Sequence, residues 1–209
     1  MRSSRVRAVD ARPGQSTALA AALARAFMDD PLIEWLMPSE ARRMRSLERF
    51  FGQELRLAHR KGRALTTTGG GAAALWYPPD RWKLGIGDIV RSAPVDLVAF
   101  GPRRLPRALA VLGAMEAVHP AEPHWYLSVI GTDPAHQGSG AGGALVRAMT
   151  DRCDAEGLPA YLESSKESNH AFYARFGFEV VGEIPTPGGG PMQWALWREP
   201  VALVGGGSR

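Results

Sequence analysis

Residues 124–143, HWYLSVIGTDPAHQGSGAGG, constrain the chain more than any other stretch. They lead an apolar strand through a glycine-rich loop straight into a helix. Tyr126, Leu127, Val129 and Ile130 read as the buried strand, and Asp133-Pro134 ends it. Gln137-Gly138-Ser139-Gly140-Ala141-Gly142 then opens the helix. A loop of this kind exposes a row of unpaired backbone N–H groups. With the positive end of the helix dipole, they form a cradle for an anion such as a phosphate.

Two phosphate-bearing ligands compete for the same glycines. Gly138, Gly140 and Gly143 spell GxGxxG, and Glu163 lies about twenty residues on, where a dinucleotide fold puts its ribose-binding acid. The context argues against that fold. Its fingerprint starts at the strand end, whereas Thr132 to Gln137 intervene here, and nothing after residue 180 offers further βαβ units. The other reading is a loop for the pyrophosphate of coenzyme A.

Gln137-x-x-Gly140-x-Gly142 after a strand resembles the acetyl-CoA signature of the GNAT superfamily of N-acetyltransferases. Asn169-x-x-x-Tyr173-x-x-x-Gly177-Phe178 resembles that superfamily's second landmark. WYL-x-VIGTDPAHQGSGAG, PAYLESS and NHAFYARFGFEV are similar to the branch containing puromycin N-acetyltransferase, most strongly over residues 122–182. The resemblance implies a single α/β (α+β) domain with a mixed, mostly antiparallel sheet flanked by helices. A splayed strand pair in that sheet holds acetyl-CoA as co-substrate.

The implied roles fall on particular residues. Ile130, Gly131 and Thr132 would offer backbone groups to the pantetheine arm. The N–H groups of Gly138, Ser139, Gly140, Ala141, Gly142 and Gly143 would hold the pyrophosphate. Gln137 stands where many relatives have arginine. Asn169 would touch the cofactor, or else cap a helix. An alkyl ammonium, with a pKa near 10.4, must lose a proton before it can attack. Glu163 is the candidate base, against a strand-end glutamate paired with an arginine. Tyr173 is the candidate acid for the departing thiolate, against a core tyrosine. His124 and His170 are isolated alternatives for the base. No cluster has metal-ligand spacing.

At 209 residues and 45% hydrophobic, the chain can bury one sizeable core. The domain is expected over residues 1–200, with an acceptor side at about 15–120, a cofactor core at about 122–182 and a flexible tail at 201–209. The basic N-terminus lacks the apolar run of a secretory signal, and no stretch approaches the roughly 18 apolar residues of a membrane span. A cytoplasmic enzyme is expected, with neither membrane nor nucleic-acid partner. The net charge is +4, and Arg42-Arg43-Arg45 and Arg103-Arg104-Arg107 read as solvated faces. The lone Cys153 reads as a core residue. The expected acceptor is a small-molecule amine, and the resemblance points to an antibiotic. A protein lysine or N-terminal amine is the alternative, and a non-catalytic acyl-CoA sensor the third reading. The oligomeric state stays open.

The rest of the chain yields elements in outline. A first strand is expected at 4–9, helices at 15–28 and 40–60, and a hairpin of 63–67 with 72–78. Helical pieces broken by Pro94, Pro102 and Pro106 fill 84–118. The cofactor helix runs from 140 to 156 and stops at Gly157. A strand at 160–163, a short helix at 169–175, and strands at 178–181 and 192–197 complete the chain, the last two joined by a flexible 185–191.

Overall fold

The structure, a computed structural model, describes residues 6–202. Most of the expected tail and the beginning of the expected first strand lie outside them. Seven strands form one sheet: β1 (Ala8–Asp10), β2 (Arg63–Thr67), β3 (Ala72–Tyr77), β4 (Trp125–Thr132), β5 (Ala160–Ser164), β6 (Glu179–Ile184) and β7 (Gln193–Arg198). Their order is β1-β2-β3-β4-β5-β7-β6, and only β4 and β5 run parallel. All six residues of β3 are buried, as a central strand covered on both faces requires.

Helices α1 (Ser16–Ala26), α2 (Pro31–Leu36), α3 (Glu40–Lys61), α4 (Ile86–Phe100) and α5 (Leu105–Val118) contribute to the core on one face. Helices α6 (Ala141–Glu156) and α7 (His170–Ala174) cover the other. In α6 the buried Ala141, Leu145, Val146, Met149 and Cys153 recur at helical spacing. Gly157, at φ 65°, supplies the left-handed C-terminal stop. Asp30 caps α2, accepting from the N–H groups of Leu32 (3.0 Å) and Ile33 (3.1 Å).

Local proline rules mislead in the 84–118 region. Pro94 lies inside α4, and Pro106 sits in the first turn of α5, where the missing N–H costs nothing. The carbonyl that Pro94 leaves unpaired belongs to the exposed Val90, so water can serve it. Arg43 is no part of a solvated face. It is buried, donates to the carbonyls of Met37 and Met28, and pairs with Glu34 at 3.1 Å. The 185–191 connection, expected to be flexible, is tied internally. Thr186 donates to the Pro191 carbonyl and accepts from Gln193.

Candidate active site

The site begins where β4 and β5 part. Their parallel pairing joins Trp125, Leu127 and the residue between them to Ala160–Leu162, and stops there. Beyond it, β4 stays paired with β3 on its other edge, and β5 with β7 through Glu163 and Ser164. The facing edges, Ser128–Thr132 and Glu163–Ser164, therefore carry backbone groups free of ladder bonds. A β-bulge reinforces the divergence: Val129 opposes Leu75 but Leu127 opposes Trp76, so Ser128 is the extra residue. Such an insertion bends and twists its strand.

The glycine loop lies at the open end. Gly138 and Gly140 have φ of 75° and 86°, where side chains are strained, and a Cβ at either would meet nothing within 4 Å. The first turn of α6 contains no acidic residue. The first helical bond runs from Ala144 N–H to the Gly140 carbonyl, so the N–H groups of Ala141, Gly142 and Gly143 precede it. A cavity of about 350 Å³, lined by Val6, Gly143, Ala144, Arg147 and Phe176, adjoins this turn. These features fit a pyrophosphate. Gln137 folds its amide onto the Thr132 carbonyl at 3.3 Å, and Ser139 donates to the His136 carbonyl at 2.6 Å.

Gly131 has a steric reason of its own. A Cβ there would lie 2.9 Å from Leu23, 3.0 Å from Ala26 and 3.2 Å from Phe27, so α1 crosses β4 in contact with its backbone. Arg25 of α1 pairs with Asp133 at 2.5 Å, fixing the helix to the strand end. That arginine holds the Asp133 carboxyl below its ordinary value.

Glu163 points to the same face as Tyr161, two residues earlier, and its side chain is 3% exposed. Its Oε1 has no hydrogen-bond partner in the protein, and no arginine pairs with it among the described residues. Burial, and then the charge of Glu163, raise the proton affinity of the Tyr126 and Tyr161 phenols. His119 Nδ1 lies 3.6 Å from Glu163 Oε1. Trp82 stacks on His119 with centroids 3.5 Å apart. Sequence reasoning missed both residues, since they stand in stretches without a motif. His124 is not isolated either: its Nε2 lies 3.0 Å from that of His119.

Tyr173 is buried beside Phe178 and Phe172 on the α6 side. Burial, followed by the charge of Asp30, keeps its phenol protonated above the ordinary range. Asp30 in turn bonds Ser165, just past β5, by a short contact. Asn169 sits at the start of α7, but its side chain makes no cap bond there, which removes the helix-cap alternative. His170 packs edge-on to Trp194 with its Nε2 buried and unpartnered. Glu54 on α3 is an additional acid near Tyr77, pushed up to about 7 by burial and by Asp96. Cys153 is fully buried, and burial pushes its thiol up to about 12. Among the described residues no His, Cys, Asp and Glu group could hold a metal, and no helix is long and apolar enough to cross a membrane.

Comparison with known proteins agrees with this geometry. Residues 101–178 match the model of the acetyltransferase (GNAT) family. An uncharacterized N-acetyltransferase of Schizosaccharomyces pombe is 44% identical over 54 residues, which are 26% of this chain and 22% of that protein's length. The fold resembles the crystal structure of histone acetyltransferase HPA2 and related acetyltransferase from Corynebacterium glutamicum. The TM-score is 0.73 at 23% identity, over 96% of this chain and 99% of that one. It also resembles an agmatine N-acetyltransferase, with a TM-score of 0.58 at 15% identity over 94% and 100% of the two chains. The family model thus matches the cofactor-side segment, and the likeness of fold extends over nearly the whole chain.

Proposed function

We propose that the chain is an N-acetyltransferase that moves the acetyl group of acetyl-CoA onto a primary amine of a small molecule, by direct attack with both substrates bound. The opening between β4 and β5 carries this reading. A free strand edge runs into a phosphate-ready loop, with a buried carboxylate, one oxygen of it unpartnered, at its side.

Under this reading, the N–H groups of Gly138 to Gly143 hold the pyrophosphate. The backbone of Ile130, Gly131 and Thr132 holds the pantetheine arm. Gln137 contributes through its main chain, because its side chain is engaged with Thr132. Asn169, with no cap bond to keep it, can turn to the cofactor. A free β4 N–H polarises the thioester carbonyl. Glu163 takes the proton of the incoming ammonium, and the neutral amine nitrogen bonds the acetyl carbon. The carbon–sulfur bond breaks while the nitrogen's second proton reaches the departing sulfur by way of the Tyr173 hydroxyl. The electron pair leaves on sulfur, which Tyr173 faces with a hydroxyl donor. A buried thiol with so high a proton affinity gives no support to an acetyl-enzyme on Cys153.

The depth of Glu163 favours a small acceptor over a folded protein surface. The aromatic cluster of Trp82, His119 and Tyr126 next to Glu163 suits an amine that carries a ring, as an aminonucleoside antibiotic does. The test is release of free thiol from acetyl-CoA across a panel of small amines, aminonucleosides and lysine peptides. Turnover with a small amine supports the reading. Turnover confined to peptides moves the acceptor to protein. Binding of acetyl-CoA with no turnover on any amine makes the chain a sensor and refutes it.

A further inference from the structure

Glu163 is the inner end of a chain of nitrogen and oxygen atoms whose protons can be assigned. At the outer end, His124 Nδ1 lies 2.6 Å from the carbonyl oxygen of Glu122. A carbonyl only accepts, so Nδ1 carries a hydrogen. Burial lowers the basicity of His124, which keeps its ring neutral and its Nε2 a bare acceptor. The Nε2 of His119, 3.0 Å away, must then be the donor. That leaves His119 Nδ1, which faces Glu163 Oε1 at 3.6 Å, and that oxygen has no hydrogen-bond partner in the protein. A bare nitrogen lone pair against a carboxylate oxygen is repulsive, so the unprotonated pair gains when one proton comes to lie between them. The stacked face of Trp82 suits the imidazolium form of His119.

We infer that His119 and Glu163, with no proton between them in the resting enzyme, together form the acceptor for the one proton that the amine loses and then share it. His119 acts through Glu163 as a positioning residue. The inference rests on the acetyl-transfer reading. Before the nitrogen–carbon bond forms, the proton that the ammonium loses passes to Glu163 and comes to lie between Oε1 and Nδ1. The Nε2 hydrogen stays on the bond to His124. Tyr126 on β4 and Tyr161 on β5 are held protonated by burial and by the charge of Glu163, so they do not compete for its proton. His124 on the segment leading into β4 is neutral. Glu122, before it, is the other charged group whose field reaches His124.

Two substitutions separate this role from packing. His119→Phe keeps a ring against Trp82 but cannot hold a proton. His119→Asn offers an amide toward Glu163 but no base. In pH profiles with the best amine of the panel, both variants should cut kcat roughly ten- to a hundredfold. Their low-pH limb of kcat/KM should move down by about one unit, the coupling expected of groups that share a proton. KM for acetyl-CoA should stay within about twofold, because neither atom lies at the cradle. A limb that stays in place in folded variants overturns the inference.

Histidine ¹⁵N NMR gives a readout that needs no turnover and, for the tautomer, no variant. At high pH, His119 should carry its hydrogen on Nε2, and its titration should change in Glu163→Gln. An Nδ1–H tautomer, or a titration indifferent to Glu163→Gln, overturns the shared proton. Coupled signals in a protein that acetylates no amine support the shared proton, but refute the acetyl-transfer reading and with it the pair's catalytic role.

Discussion

Gly131→Ala tests whether α1 rests on the free edge of β4. The added Cβ would lie 2.9 Å from Leu23 Cδ2, 3.0 Å from Ala26 Cβ and 3.2 Å from Phe27 Cε2. Leu23 is fully buried and Ala26 belongs to the helix itself, so the contact is relieved only if α1 moves. Overpacking of this kind costs about 1–3 kcal/mol. For a chain of this length each kcal/mol lowers Tm by about 2–4 °C, so the expected loss is about 2–12 °C. Urea denaturation should show a lower midpoint with an unchanged slope. Leu23→Ala alone should cost about 2–5 kcal/mol. The double variant should cost less than the sum by about 0.5–3 kcal/mol, because trimming Leu23 makes room for the new methyl group. An undiminished midpoint for Gly131→Ala, or strict additivity in the cycle, would show that α1 does not press on this strand.

At the cradle, Gly140→Val should leave the chain folded at a cost of about 1–2 kcal/mol, since the left-handed backbone is strained but no neighbour is struck. It should abolish the Tm rise that acetyl-CoA gives and NAD does not, while Gly142→Ala, whose Cβ would meet Thr132 and Phe172 at ordinary contact distances, should keep it. A retained shift in Gly140→Val would move the pyrophosphate elsewhere. Tyr173→Phe should lower turnover about 10²–10⁴-fold with acetyl-CoA affinity nearly unchanged, and unaltered turnover with chemistry rate-limiting would make the phenol a packing group. Asp154 accepts from Arg198 and from Val201 N–H, both at 2.7 Å, and the arginine holds its carboxyl below the ordinary 3.8. A carboxylate so lowered stabilises the fold fully above its unfolded value and loses that contribution as pH falls through its folded one. Asp154→Asn should thus cost about 1–2 kcal/mol at neutral pH, with the gap closing below pH 3.8 in acid denaturation. A gap that persists in acid would contradict the pairing.

Several features were legible in the residues because their causes span only a few positions. Gly138, Gly140 and Gly157 take backbone angles that other residues resist, and the apolar spacing of α6 needs only its own turns. The β2–β3 hairpin, β4, β5 and α7 follow from equally local patterns, as does the burial of Cys153. The sheet order, the bulge at Ser128 and the parting of β4 from β5 depend on strands supplied by distant segments. The burial of Arg43 likewise depends on carbonyls and a carboxylate 6 to 15 residues away. His119 reaches Glu163 across 44 positions, from the end of a helix whose own sequence carries no chemical motif. Local backbone preference placed the glycine loop and its left-handed turns. Long-range packing decided what surrounds the carboxylate, because burial and proton sharing are properties of neighbours that the chain brings together only when it folds.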